Sequence, residues 1–343
     1  MQFQKKVIHW LLEEDNPVVR YLTLKNLLKD AKATQEAKKH LMEYEVTRVI
    51  LQHLDDFLMK DDKAYWKYKG KYWQLIFLGQ FLADGQDPMV AKITQDIIEN
   101  RKKWLWKFGG QCLAANILAA LIRLGHANDP VVLEEAENLA QQVAFNSGIE
   151  CEVMGYSLLP QCYMAIPKLL LCFSETPKGI RSQAVKEAID MLVKTILDNE
   201  VYMYVPGNRR KWQKILENQP KRAELPKGET VKAWTFKQKE KFLSTHGLGG
   251  REAKKGWLKF GFPLHYNSDI LETMYSLARL EIPMNPKLEK PLQVIKEKMT
   301  KDGKWIMENS LNGKMWADVE KKGKPSKWLT YFALFVLDHF ETG

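Results

Sequence analysis

A chain of 343 residues has room for two ordinary domains or for one large repetitive one. With 45% apolar and 11% aromatic residues it can bury a sizeable core, which excludes disorder throughout. Fifty-two Lys and Arg against 42 Asp and Glu leave a moderately basic +10, and four cysteines are too few for a disulfide framework. No apolar run reaches the roughly 18 residues of a membrane span, since the longest, around residues 113–122, is interrupted by Asn116. Lys5 and Lys6 precede only a short apolar stretch before Glu13, Glu14 and Asp15, which does not read as a signal peptide. A reducing cytoplasm is the simplest compartment for such a chain.

Strand signals are scarce, and apolar residues recur at three- and four-residue spacing along the whole length. The recurring unit is an apolar helix, a short turn often carrying Asp-Pro or Asn-Pro, and a more charged helix. Apolar helices are predicted within 16–28, 72–88, 110–130, 157–177, 262–286 and 325–340. Amphipathic ones are predicted at about 2–13, 34–58, 88–103, 130–145, 180–198 and 286–299. Pro88, Pro130 and Pro286 suit a first helical turn, where a missing N–H is no loss. Six apolar helices alternating with six amphipathic ones predict an all-α (α/α)6 toroid. The apolar six form its inner barrel and the others surround them with one face to water. An open solenoid needs polar capping helices at its ends. The last helix, with Trp328, Tyr331, Phe332, Phe335 and Val336, is as apolar as the middle ones, so closure of the ring is expected. The expectation is one domain over 1–343.

One segment breaks the rhythm. Residues 203–256 carry 14 Lys and Arg against 5 Asp and Glu, a local +9. This reads as a long basic insertion between the fifth outer and fifth inner helices, with at least one short helix in KAWTFKQKEKFL. Arg209, Arg210 and Lys211, beside Trp212 and Lys214, are candidates to hold a phosphate if the loop folds over the barrel mouth. Cations interleaved with Trp212, Trp234 and Phe236 also suit nucleic acid or an acidic membrane surface. A solvated loop is the plain alternative.

In a ring of antiparallel hairpins the inner helices all start at one end, where their free N–H groups favour an anion. Ligand-binding candidates near those starts are Trp73, Asn116, Tyr163, Tyr266 and Trp328. Aromatic rings with a few polar groups suit an apolar ligand, or a cation held over ring faces. Simple filling of the barrel is the competing explanation. Asp269, set in the apolar run FPLHYNSDILETMYSL, is the catalytic candidate, because burial raises a carboxyl pKa towards acid catalysis. His265, four residues earlier, is expected on the same helical face, in position to share a proton or ligate a metal. A structural hydrogen bond is the alternative for Asp269.

The alternation, the DGKW at 302–305 and the Leu-Gly-x-x-x-Asp-Pro turn resemble the squalene cyclase and protein prenyltransferase toroids. CLAANILAALIRLGHANDPVV, QCYMAIPKLLLCF, WLKFGFPLHYNSDILE and NSLNGKMWADVEKKGKPSKWLT resemble, more closely, a squalene-cyclase-like prokaryotic family, over about residues 8–340. The resemblance implies an (α/α)6 barrel and a hydrophobic, isoprenoid-like small molecule in its cavity. It also implies a zinc for which Cys162, His265 and Asp269 supply the residue types, with Cys112 and Cys151 in reserve. The Asp-x-Asp-Asp of protonating cyclases is absent, and DDFLMKDD does not match the magnesium-binding Asp-Asp-x-x-Asp. Two functions therefore stand: an enzyme acting on an isoprenoid-like substrate, or a non-catalytic toroid that binds a ligand or a protein partner.

Overall fold

Asp-Pro and Asn-Pro pairs punctuate the fold because each supplies a cap and a first turn together. Asn16 accepts the Val19 N–H and Pro17 opens α2 (Pro17–Leu22). Asp87 accepts from the Met89 and Val90 amides ahead of α7 (Pro88–Glu99), and Asp129 from the Val131 amide ahead of α9 (Pro130–Phe145). The computed structural model of the chain describes residues 5–58, 68–101, 110–145, 162–205, 208–264 and 267–342. Among these the fold is predominantly helical, with strands only as two-residue pairs.

The apolar helices are α2, α6 (Lys71–Gln80), α8 (Gln111–Leu121), α10 (Ala165–Glu175), α14 (Ile270–Arg279) and α16 (Lys327–Thr342). Five contacts join them in a row, α6 on α8, α8 on α10, α10 on α14, α14 on α16 and α16 on α2. The last of these is pinned by polar contacts as well. Asn26 Nδ2 donates to the Tyr331 hydroxyl at 2.6 Å, and Lys327 Nζ reaches Glu13 and Asp15. The more charged helices lie against them: α1 (Lys5–Leu11) on α16, α3 (Ala31–Lys38) on α2, α7 on α6 and α9 on α8. Likewise α11 (Gln183–Asp198) packs on α10 and α15 (Glu289–Glu297) on α14. One continuous apolar core runs from Val7 to Phe340. Gly79 sets its tightest helix contact, because a Cβ there would lie 2.6 Å from Cα and 2.7 Å from Cβ of Ala120. Its hydrogen lets α6 and α8 meet backbone to backbone.

Two predicted helices are shorter than their apolar patterns. The stretch expected as one helix over 34–58 is broken into α3, a 3-10 turn at Leu41–Glu43, α4 (Glu45–Gln52) and α5 (Leu54–Leu58). The break carries Leu41 and Tyr44 into the core, where Tyr44 packs against Phe81 and Trp328. The fifth apolar helix begins only at Ile270, after the non-helical residues 267–269. Asp269 is the N-cap instead, its Oδ1 accepting the Glu272 amide at 2.7 Å.

Two apolar helices end in wide π-turns, Thr23–Leu28 after α2 and Ile122–His126 after α8. Such turns place side chains that a regular helix would aim elsewhere; Asn26 and Arg123 are carried on them. The basic segment is not a featureless loop. Helices α12 (Arg209–Glu217) and α13 (Val231–His246) form a hairpin with its own small core of Trp212 and Phe242, whose rings lie 5.7 Å apart. Its two ends meet in an antiparallel pair, β1 (Met203–Tyr204) with β2 (Glu252–Ala253).

Candidate functional site

Side chains from all six apolar segments line one cavity that opens to solvent. Its apolar wall is aromatic. Phe262 and Trp328 stack with centroids 4.1 Å apart, Phe332 stands edge-on to Phe262 at 5.5 Å, and Tyr275 packs 4.7 Å from Phe332. The segment carrying Phe262 is held from both sides. Gly261 N–H donates to Asp269 Oδ2 at 3.0 Å, and the Phe260 carbonyl accepts from the Glu308 and Asn309 amides. A Cβ on Gly261 would meet the Asn309 carbonyl oxygen at 2.5 Å, so only glycine fits between these strands of chain.

The polar side of the cavity is built from charged residues placed within apolar helices or at their ends. Glu175, at the end of α10, accepts from Arg123 Nη2 at 2.7 Å and from Arg279 Nη2 at 2.9 Å. Burial pushes its carboxyl up, but Arg123 and Arg279 together outweigh this and hold it below the usual carboxylate range. Farther along α14, both oxygens of Glu272 accept from Lys168 Nζ, at 2.5 and 2.7 Å, and that lysine is fully buried in mid-α10. Two polar atoms of the lining are buried without a partner among the described residues, Gln80 Oε1 and Arg279 Nε.

Asp269 lines the cavity at 1% exposure. Burial pushes its carboxyl up to about 7, with the neighbouring Glu272 charge adding to the rise. The Glu272 and Gly261 amides and Lys168 oppose the shift without cancelling it. Both oxygens therefore have structural work, one capping α14 and the other fastening the aromatic loop. His265 and Tyr266 lie outside the described residues.

The remaining sequence candidates are dispersed. Of the ligand-binding set, Trp328 lines the cavity with Asp269, whereas Trp73, Asn116 and Tyr163 are buried elsewhere. Trp73 packs on Tyr68 and Phe77, Asn116 Nδ2 is buried without a partner, and the Tyr163 hydroxyl donates to Asn199 at 3.3 Å. Cys162 is half-buried just before α10. Among the described residues no group of three or more His, Cys, Asp and Glu comes together as metal ligands. Arg210 and Lys211 are exposed on α12; Arg209 opens that helix, and its side chain lies outside the described residues. No described residue of the basic hairpin lines the cavity.

Sequence reasoning missed Arg123, Lys168, Glu175, Glu272 and Arg279. A signal was present for Lys168, a charge inside AIPKLLLCF, by the same argument that singled out Asp269. No protein-family model matches the chain, and no curated protein or solved structure is detectably similar to it. Among the described residues no helix is long and apolar enough to cross a membrane.

Proposed function

We propose that the chain is an (α/α)6 toroid that binds a small molecule with an apolar body in its central cavity. The observation that carries this reading is that all six apolar segments contribute to one cavity with an aromatic wall. The run of contacts from α6 through α8, α10, α14 and α16 to α2 supports a ring-like order of the helices. A concave site with an apolar wall and a few convergent polar groups has the usual character of a small-molecule site. An isoprenoid-like compound belongs to the class such a wall accepts.

Binding without chemistry is the simpler form of this function. Asp269 already serves as a helix cap and a loop fastener, so its burial is accounted for without catalysis. Its pKa of about 7 favours the alternative, an enzyme in which Asp269 exchanges a proton with the bound molecule. Native mass spectrometry of gently purified protein tests the common core of both forms. A co-purifying hydrophobic molecule, lost in Trp328→Ala protein that remains folded, is the expected result. Protein that carries no such molecule, and takes up none from a panel of isoprenoid alcohols and acids, would overturn the reading.

A further inference from the structure

The charges around Glu175 do not balance. One carboxylate faces two guanidiniums, and all three groups line the cavity. Groups on the neighbouring elements leave the excess in place. Arg181 gives its guanidinium to the Ser174 and Thr176 carbonyls and keeps its charge, and Glu281 is paired with Lys178. Lys25 lies over the Tyr21 ring, the Lys168–Glu272 pair is neutral as a unit, and burial pushes the Asp269 carboxyl towards its neutral form. Helix carbonyls at the ends of α10 and α14 offset part of the excess, but they supply no countercharge of a full unit.

The unbalanced end is also the accessible one. The Arg279 side chain is 26% exposed and that of Arg123 13%, against 8% for Glu175. Arg279 Nε is buried with no acceptor, and its Nη1 has only the Tyr275 hydroxyl at 3.5 Å. A guanidinium binds a carboxylate best through two parallel N–H donors. Arg279 has given Nη2 to Glu175, which leaves Nη1, held by a long bond to Tyr275, as its donor for a ligand. The aromatic wall of Phe262, Trp328 and Phe332 belongs to the same cavity.

We propose that the cavity takes an amphipathic monoanion: a carboxylate on an apolar chain or ring, with the carboxylate held by Arg279 and Arg123 and the apolar part against the Phe262–Trp328 wall. The inference rests on the cavity reading above and narrows it. Of the Arg123–Glu175–Arg279 charges that line the cavity, one positive charge is left over and matches a carboxylate, whereas a dianionic phosphate would have to draw on Arg181 or Lys25, which do not line it.

The test is calorimetric titration of the intact protein with decanoate, decanol and decyl phosphate, each below its micelle-forming concentration. Decanoate is expected to bind at one site, about ten- to a hundredfold tighter than decanol, as a charge-assisted hydrogen bond implies. Arg123→Met and Arg279→Met each leave Glu175 with one arginine, so the remaining pair is balanced and the fold is retained. Both variants should lose the preference for decanoate over decanol. Equal binding of decanoate and decanol by the parent, or a preference that survives in both variants, would overturn the inference and leave the cavity reading standing. Tighter binding of decyl phosphate than of decanoate would overturn the single-charge assignment. Absence of binding by all three would remove the cavity reading and the inference together.

Discussion

Lys168 and Glu272 form a two-pronged ion pair inside the molecule, joining the middle of α10 to the first turn of α14 across 104 residues of sequence. Neither charge is solvated enough to stand alone. Lys168→Met should therefore cost about 3–5 kcal/mol, the scale of stranding one member of a buried pair. The double variant Lys168→Met/Glu272→Leu should recover most of that loss, because an apolar pair of similar volume needs no compensation. Urea unfolding of the four proteins in the cycle measures both numbers. A single variant no worse than the double would show that the pair is not mutually dependent.

Asp269 makes stability depend on pH in the sense opposite to an ordinary carboxylate. Its native pKa, about 7, lies above the unfolded value, so between about pH 4 and 7 the native state holds more proton than the unfolded one. Stability from this group is complete at the acid end of that window and falls as the pH rises through 7. A shift of this size corresponds to about 4 kcal/mol. Glu320, also pushed up to about 7 by burial, acts in the same direction. The carboxyls held low, such as Glu175, act only below about pH 4.5 and leave the window clear. Chemical unfolding at pH 5, 6, 7 and 8 should show falling stability, with a shallower slope in Asp269→Asn. An unchanged slope in the variant would place the pH dependence elsewhere.

The same substitution is less innocent than its shape suggests. Asparagine can accept the Glu272 amide with its oxygen, but its NH₂ then faces the Gly261 N–H. Ligand binding is therefore expected to weaken along with order in the 260–264 loop. A protease cut or faster amide exchange in that loop, with α14 still protected, is the signature to look for.

Gly79→Ala should destabilise by about 1–3 kcal/mol, since the new methyl meets the backbone of α8 rather than a side chain able to rotate away. Gly179→Ala is the matched control, having no atom within 4 Å of the added Cβ, and should change stability by less than about 0.5 kcal/mol. Melting temperatures of the two proteins, read side by side, decide whether the α6–α8 contact is as tight as the geometry requires.

Trp212→Ala should loosen the basic hairpin and spare the rest. The Trp212–Phe242 cluster is separate from the main core. Limited trypsin digestion is expected to cut quickly between residues 209 and 246 in the variant, while the main thermal transition moves little. A transition that falls by ten degrees or so would mean that the hairpin supports the whole molecule.

Local signals in the sequence were read well and distant ones were not. The Asx-Pro pairs at 16, 87 and 129 carry both cap and first turn within three residues, so they mark helix starts without knowledge of the fold. Asp269 belongs to the same kind of signal. Asp269 and Glu272 have capping-box spacing, which the apolar run preceding them obscured. The Arg123–Glu175–Arg279 cluster could not be read, because its members meet only through helix packing and are up to 104 residues apart along each contact. The side on which the cavity presents charge was missed for the same reason. Helix N-termini can be located in a sequence, whereas Arg123 reaches the cavity from a π-turn that no residue pattern announces.

The contact between Asn26 and Tyr331 spans 305 residues of chain. At a translation rate of about 5–20 residues per second, the segment bearing Asn26 waits roughly 15–60 seconds before its partner is synthesised. Throughout that interval the apolar face of α2 has no final neighbour on one side. The nascent chain must therefore keep its first hairpins soluble, or shielded by a chaperone, until the last helix has left the ribosome.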